Sequence, residues 1–132
     1  DAGLGVLVYN PLAGGFLSGK YRTGQDPEAG TRFTLGTAAD RYQARYWHQS
    51  QFEAVERLKA VVEGKGLNMV SVSIAWVLAQ PGVSSAIIGA SKPEQLEANL
   101  DALNIMLDDE LVQACDAAWW SLPRQPVQEG YR

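Results

Sequence analysis

The segment from Ile88 to Leu96 carries residue types suited to holding an anion. Gly89 and Ala90 leave room for a phosphate to approach the backbone. Ser91 adds a hydroxyl group and Lys92 a positive charge. Where a strand passes through such a turn into a helix, unpaired N–H groups and the positive end of the helix dipole face the anion. The structural alternative is that the Ser-x-x-Glu pattern from Ser91 is only a capping box beside an exposed lysine.

A second candidate segment follows an apolar run near the start of the chain. Tyr9 ends that run, and its ring could stack on a flat heterocycle. The glycine-studded backbone from Leu12 to Gly15 could approach a pyrophosphate. Lys20 and Arg32 could then contact phosphates. The structural alternative is a core tyrosine beside ordinary turns, with both cations solvated at the surface.

Composition excludes several other function classes. The 132 residues include one cysteine and one histidine, Cys115 and His48, so neither a disulfide nor a zinc-ligand pattern is present. The net charge is −4 and there is no basic stripe, so we expect no nucleic acid partner. No apolar run approaches the roughly 18 residues of a membrane span, and no signal peptide is recognisable. We therefore expect a cytoplasmic protein with no membrane partner, no metal site and no nucleophile–base pair.

Hydrophobic spacing predicts the elements that position these segments. Val6–Tyr9 is a short apolar strand, and residues 22–40 form a long loop of low periodicity. An amphipathic helix follows, ended by Gly64 and Gly66, with apolar positions Phe52, Val55, Leu58 and Val62. Asn68 caps a second helix that carries Val70, Ile74, Val77 and Leu78, and Pro81-Gly82 ends it.

The second half of the chain repeats this order. Ser85–Ile88 is another buried strand, and the helix after the Ser91 turn is predicted to bury Leu96, Leu100 and Leu103. Asp108 is the predicted cap of a last helix with Leu111, Cys115 and Trp119 spaced four apart.

Strands that alternate with helices predict an α/β fold with parallel pairing and right-handed crossovers. Both strands are apolar along their length, as expected for burial on both faces. Two strands are too few for such a sheet. Because the chain also opens on Asp1 without an initiator Met, we expect it to begin in mid-fold.

Two motifs together resemble the aldo-keto reductase superfamily, particularly the bacterial branch related to potassium-channel β-subunits. They are YNPLAGGFLSGKY at Tyr9–Tyr21 and AIIGASKPEQLEAN at Ala86–Asn99. The resemblance covers nearly the whole chain. It implies that residues 1–132 are the C-terminal fragment of one (β/α)8 TIM barrel domain, with strands seven and eight and their helices.

The resemblance also implies a binding site for NADP, preferred over NAD. Tyr9 matches the residue stacked on the nicotinamide, and the loop after it matches the pyrophosphate segment. Lys92 and its neighbours match the turn around the 2′-phosphate. Two positions depart from the family pattern: Ala98 stands where many relatives have Glu, and Gln95 where several have Arg. The implied cofactor-binding set is Tyr9, Asn10, Pro11, Leu12, Ala13, Gly14, Lys20, Arg32, Gly89, Ser91, Lys92, Gln95 and Asn99.

The function implied for the parent protein is NADPH-dependent reduction of a small-molecule aldehyde or ketone. The family's catalytic Asp, Tyr, Lys and His come from earlier strands. No catalytic residue is therefore assigned here, and the chain alone is expected to be inactive. Its expected partner is the missing N-terminal barrel half or another copy of itself. The alternatives are a nucleotide-binding regulatory module like the channel β-subunits, and a structural remnant that binds nothing.

Overall fold

Two parallel strands lie side by side at one end of a helical body. The structure is a computed structural model, and it describes residues 3–123. Strand β1 spans Val6–Tyr9 and β2 spans Val83–Ile87. Val8 pairs with Ala86 and Tyr9 with Ile87, while an irregularity lies between Val6 and Leu7. The predicted parallel pairing is confirmed, with β2 beginning and ending slightly earlier than the sequence indicated.

The described part of the chain has five α-helices, and the first of them was not predicted. Helix α1 starts at the end of the stretch that we interpreted as a loop, and its apolar residues are two alanines and two tyrosines. Short 3-10 segments lie over Ala13–Ser18, where the backbone is kinked, and over Asp101–Asn104. The helices are α1 Ala39–Tyr46, α2 Gln49–Gly64, α3 Met69–Leu78, α4 Pro93–Leu100 and α5 Asp109–Trp120.

Two predicted helix caps are confirmed. The Asn68 side chain accepts hydrogen bonds from the backbone N–H groups of Val70 and Ser71, at 2.8 and 3.4 Å. Asp108 Oδ1 accepts from the N–H of Leu111 at 2.9 Å. Each cap satisfies N–H groups that have no partner within the helix.

The main core lies where α2 and α5 meet the segments that follow β1. Phe33, inside the predicted loop, is completely buried and so anchors that stretch to the helices. Trp76 Nε1 donates to Asp116 Oδ1 at 2.9 Å and joins α3 to α5. The buried cluster comprises Phe16, Phe33, Phe52, Val55, Leu58, Val62, Met69, Val72, Leu111 and Cys115.

The strands are not buried on both faces within residues 3–123, because two strands are too few to form the closed sheet that their apolar sequences suit. Leu7 is 67% exposed and Tyr9 70%, and Ile87 on β2 is also exposed. Among residues 3–123, β1 and β2 hydrogen-bond only to each other, so no further strand covers their outer edges. Apolar side chains that suit a closed sheet therefore face outward here.

The prediction that the helix after the second strand buries a stripe of leucines is wrong. Leu96, Leu100 and Leu103 are exposed, and the positions that turn inward are Asn99 and Ala102. The polar side of helix α4 packs against α3. There, Ser71 Oγ of α3 donates to the Ala98 carbonyl of α4 at 2.8 Å. In α5, Leu111 and Cys115 are buried as expected, whereas Trp119 is exposed.

Within the part of the chain that the structure describes, no single helix has the length and apolar content of a membrane span. Helices α2 and α3 have that length and apolar content only when taken together, and they are bent by 102° relative to each other.

Candidate functional site

The two candidate segments leave the sheet at the same edge. Tyr9, the last residue of β1, is paired with Ile87, the last residue of β2, and the strands are parallel. The loop from Asn10 and the turn from Ile88 therefore start from neighbouring positions. This edge is where parallel α/β folds gather their ligand sites.

Asn10 organises the loop that follows β1. Its backbone is left-handed, with φ of 60°, a conformation that asparagine tolerates better than most residues. Its side-chain Oδ1 accepts a hydrogen bond from Gly14 N at 2.7 Å, and its carbonyl accepts from Ala13 N at 3.1 Å. Its Nδ2 donates to the hydroxyl of Tyr46 at 3.2 Å. Both ends of the Asn10 amide are thus engaged within the protein.

Three backbone donors of this loop are used internally. The N–H groups of Ala13 and Gly14 bond to Asn10, and the N–H of Gly15 bonds to the Leu12 carbonyl at 2.9 Å. Pro11 has no N–H to offer. As the loop stands, an anion beside it would meet cationic side chains and not these backbone N–H groups.

Tyr42 closes over the loop from helix α1. Gly14 has φ of +70°, and a Cβ added to it would lie 2.6 Å from two ring carbons of Tyr42. The same point is 3.8 Å from the Cβ of Arg32. Tyr42 was not predicted to be a site residue, although its spacing of four from Tyr46 is a helical signal. Arg32 does lie beside the loop, where we predicted a phosphate-side cation.

The pKa of Tyr42 is raised, chiefly by its hydrogen-bonding interaction with Tyr9 and then by partial burial. The neighbouring Arg32 charge opposes the shift, because a cation stabilises phenolate. Tyr9 itself is 70% exposed, so the alternative of a core tyrosine is wrong. The ring of Tyr9 is therefore exposed at the end of β1, and its hydroxyl lies next to Tyr42.

Lys20 is engaged elsewhere on the surface. Its Nζ lies 3.3 Å from Glu28 Oε2 and 4.9 Å from the centre of the Tyr21 ring. It borders a hollow of about 230 Å³ that is also lined by the charged groups of Arg22 and Asp26. Both partners of the Lys20–Glu28 pair are substantially exposed, so the pair holds Lys20 weakly.

The turn after β2 differs from the predicted capping box. Lys92, not Ser91, is the N-cap residue of α4, and its side chain makes no capping bond. Pro93 occupies the first helical position and restricts Lys92 to the extended conformation that it adopts. The Ser91 N–H instead meets the side-chain oxygen of Gln95 at 2.8 Å. Ser91 and Lys92 are exposed at the start of the helix.

Asn99 supports this turn from the inside. Only 4% of the residue is exposed, and its Nδ2 donates to the Gly89 carbonyl at 3.2 Å. Gly89 itself is exposed, with no atom within 4 Å of an added Cβ. Asn99 therefore fixes the backbone at Gly89, whereas the resemblance had implied that it is a cofactor-binding residue.

The reactive side chains of the described residues do not form a catalytic set. Cys115 is buried, and burial raises the pKa of its thiol to about 11. His48 Nε2 lies 2.6 Å from the Ala44 carbonyl, at the start of α2. No group of three or more His, Cys, Asp or Glu residues that could hold a metal occurs within residues 3–123. The strand-end site brings the exposed ring of Tyr9, the Asn10 loop and the Gly89 turn to one edge of the sheet.

Comparison with known proteins gives a family match over most of the chain. The model of the Aldo/keto reductase family matches residues 1–119. A probable voltage-gated potassium channel subunit beta from Oryza sativa subsp. japonica is 35% identical over 98% of the chain and 39% of its own length. Aldo-keto reductase family 7 member A3 from Homo sapiens is 34% identical over 89% of the chain and 39% of its own length.

An L-glyceraldehyde 3-phosphate reductase from Escherichia coli O157:H7 is 31% identical over 77% of the chain and 29% of its own length. The chain therefore spans well under half the length of these curated relatives.

Proposed function

Because this chain belongs to the aldo/keto reductase family, we propose that it supplies part of the nucleotide site of an NADPH-dependent carbonyl reductase. The family has a (β/α)8 fold and its members include oxidoreductases. In this proposal residues 1–132 are the C-terminal part of one barrel domain, with β1 and β2 as its strands seven and eight. The substrate is a small aldehyde or ketone.

The pairing of Tyr9 with Ile87 carries the proposal. It starts the Asn10 loop and the Gly89 turn from adjacent strand ends, so one extended dinucleotide could contact both. Exposed Tyr9 offers a ring for the nicotinamide, and Lys92 offers a charge at the start of α4. A side chain at Gly14 would collide with the ring of Tyr42, so the loop backbone lies directly against that ring, beside Arg32.

The chemistry of these residues fits NADP. Tyr9 would stack on the nicotinamide and Arg32 would neutralise the pyrophosphate. Lys92 and Ser91 would bind the 2′-phosphate that NAD lacks, with Asn99 holding the turn in place. The remaining members of the proposed set are Pro11, Leu12, Ala13, Lys20, Gly89 and Gln95. Bound NADPH supplies the hydride.

The chain's exposed apolar surface supports a partner that completes the sheet. Leu7 on β1 and the stripe Leu96, Leu100 and Leu103 face outward. Exposed strand edges and apolar faces favour pairing with further strands, and a barrel closes only when its edges are satisfied. In our proposal the other part of the barrel, or a second copy of the chain, covers this surface and contributes the proton donor.

A regulatory role is the second candidate, because proteins named as potassium channel β-subunits from rice and Arabidopsis thaliana match 98% of the chain. In such a module, bound nucleotide would report redox state without rapid turnover. An inert remnant would bind no nucleotide.

Nucleotide titration of the intact protein distinguishes these roles. Binding is followed by the change in NADPH fluorescence, and turnover by NADPH oxidation with a panel of aldehydes and ketones. Tight NADPH binding with carbonyl-dependent oxidation supports the reductase. Tight binding without oxidation supports the regulatory module. Failure to bind NADPH contradicts both proposals.

A further inference from the structure

Two tyrosines one turn apart on α1 contact the loop that follows β1. We infer that Tyr42 and Tyr46 are positioning residues of the nucleotide site, which hold the Asn10–Gly14 segment and Arg32 in one arrangement before the ligand arrives. The inference rests on the proposed function and adds to it a helix that the sequence analysis did not detect.

Tyr42 acts through shape. Its ring occupies the space in which a side chain at Gly14 would stand, since an added Cβ would approach two ring carbons to 2.6 Å. Real Cβ atoms essentially never come this close to their neighbours, so the ring and the glycine backbone are in direct contact. The Tyr42 side chain also interacts with that of Tyr9, so one ring meets both the loop and the proposed stacking residue.

Tyr46 acts through a hydrogen bond. Its hydroxyl accepts from Asn10 Nδ2 at 3.2 Å, which leaves Asn10 Oδ1 to accept from Gly14 N at 2.7 Å. Because the amide group is planar, fixing its nitrogen also fixes the direction of its oxygen. The Tyr46 hydroxyl therefore orients the side chain that closes the loop.

Helix α1 is tied to the backbone next to Arg32. Gln43 Nε2 donates to the Phe33 carbonyl at 2.6 Å, and the rings of Phe33 and Tyr42 lie 6.1 Å apart. Phe33 is completely buried, so the chain around it is held firmly. One short helix thus sets the position of the loop and of the arginine proposed to face the same phosphate.

A site that is ordered in advance binds more tightly, because less conformational freedom is lost on binding. The α1 contacts lie on the loop and not on the Gly89 turn. Their loss should therefore weaken NADPH and NADH to the same extent, without changing the preference between them. Equal weakening distinguishes positioning of the loop from recognition of the 2′-phosphate.

The first test compares Tyr46→Phe with Tyr21→Phe in the intact protein. Both changes remove one phenolic hydroxyl, but Tyr21 packs against the aromatic core, whereas the Tyr46 hydroxyl accepts the hydrogen bond from Asn10. Tyr46→Phe should raise the Kd of NADPH and NADH equally, by about two- to tenfold, as expected for one lost hydrogen bond. Tyr21→Phe should leave both Kd values unchanged.

Asn10→Gly extends this test to a double-mutant cycle. Glycine keeps the left-handed backbone and removes the amide. If Tyr46 acts through Asn10, the double variant Asn10→Gly/Tyr46→Phe should bind NADPH no more weakly than Asn10→Gly alone. Losses that simply add would overturn the inference about Tyr46.

The second test compares Gly14→Ala with Gly15→Ala. Both glycines have positive φ, at +70° and +93°, but an added Cβ meets the Tyr42 ring only at Gly14 and nothing within 4 Å at Gly15. Gly14→Ala should weaken NADPH by at least tenfold more than Gly15→Ala. Replacing Tyr42 with Ala in the Gly14→Ala background should recover part of the loss.

Equal effects at the two glycines would overturn the role of Tyr42. If the wild-type protein binds neither NADPH nor NADH, the proposed function fails and this inference with it. If the wild type binds normally and both comparisons give no difference, only the inference fails.

Discussion

The side chain of Asn10 accepts a hydrogen bond from the backbone of Gly14, with 2.7 Å between Oδ1 and N. This bond closes the loop after β1 while the Asn10 backbone is left-handed, with φ of 60°. Asn10 thereby follows the end of β1 and closes the loop. It also engages the Gly14 N–H, which could otherwise donate to a ligand.

We expect Asn10→Ala to lower the free energy of unfolding by about 1–2 kcal/mol. Alanine loses the hydrogen bonds of the amide and is strained in the left-handed region. Asn10→Gly loses the same bonds but accepts the backbone, so it should cost less than alanine. Urea denaturation of the three proteins measures the difference, and equal stability of the alanine variant and the wild type would contradict the proposed role of Asn10.

We expect Lys92→Ala in the intact protein to weaken NADP by roughly 1–3 kcal/mol and NAD hardly at all. The reason is the loss of a charge-assisted contact with the 2′-phosphate at the start of α4. Calorimetric titration with both nucleotides measures the effect.

Arg32→Ala is the contrasting variant for this test. Its proposed partner is the pyrophosphate common to both nucleotides, so it should weaken NADP and NAD alike. An equal loss of both nucleotides in Lys92→Ala would show that Lys92 does not read the 2′-phosphate.

The Cys115 thiol should be unreactive in the folded protein. Burial raises its pKa to about 11, so almost no nucleophilic thiolate is present at pH 8. A thiol reagent such as Ellman's reagent should modify Cys115 slowly in buffer and rapidly in denaturant. Fast modification under native conditions would show that the α2–α5 core opens readily.

The same pKa gives a direction for stability against pH. The folded-state pKa lies above the unfolded value near 9, so the unfolded chain ionises first as the pH rises. The stabilising contribution of the neutral thiol is complete below pH 9 and falls between about pH 9 and 11. Over that interval the stability of Cys115→Ala should fall less steeply than that of the wild type.

The isolated 132-residue chain should show no carbonyl reductase activity. The resemblance assigns the family's proton-donating Tyr to earlier strands, and loss of such a group typically removes two to four orders of magnitude of rate, about 10²–10⁴-fold. NADPH oxidation with a broad aldehyde panel tests this expectation. Oxidation above background that copurifies with the chain would refute it.

Local residue patterns were sufficient to predict several elements of this protein. The Asn68 and Asp108 caps act on N–H groups two or three residues away, so their effect depends on neighbouring residues alone. The alternation of strands and helices predicted the parallel pairing that brings Tyr9 beside Ile87. The true start of α4 was also encoded locally, because Pro93 favours the first helical position and restricts Lys92.

Burial and the roles of the site residues depended on contacts far apart in sequence. Leu96 and Leu100 have core spacing but are exposed, because α4 packs on α3 through the opposite side. Helix α1 has little apolar periodicity of its own and is held by rings such as Phe33. The side-chain amides of Asn10 and Asn99 hydrogen-bond within the protein. The folded chain places the Tyr46 hydroxyl and the Gly89 carbonyl 3.2 Å from their nitrogens, and neither contact can be read from neighbouring residues.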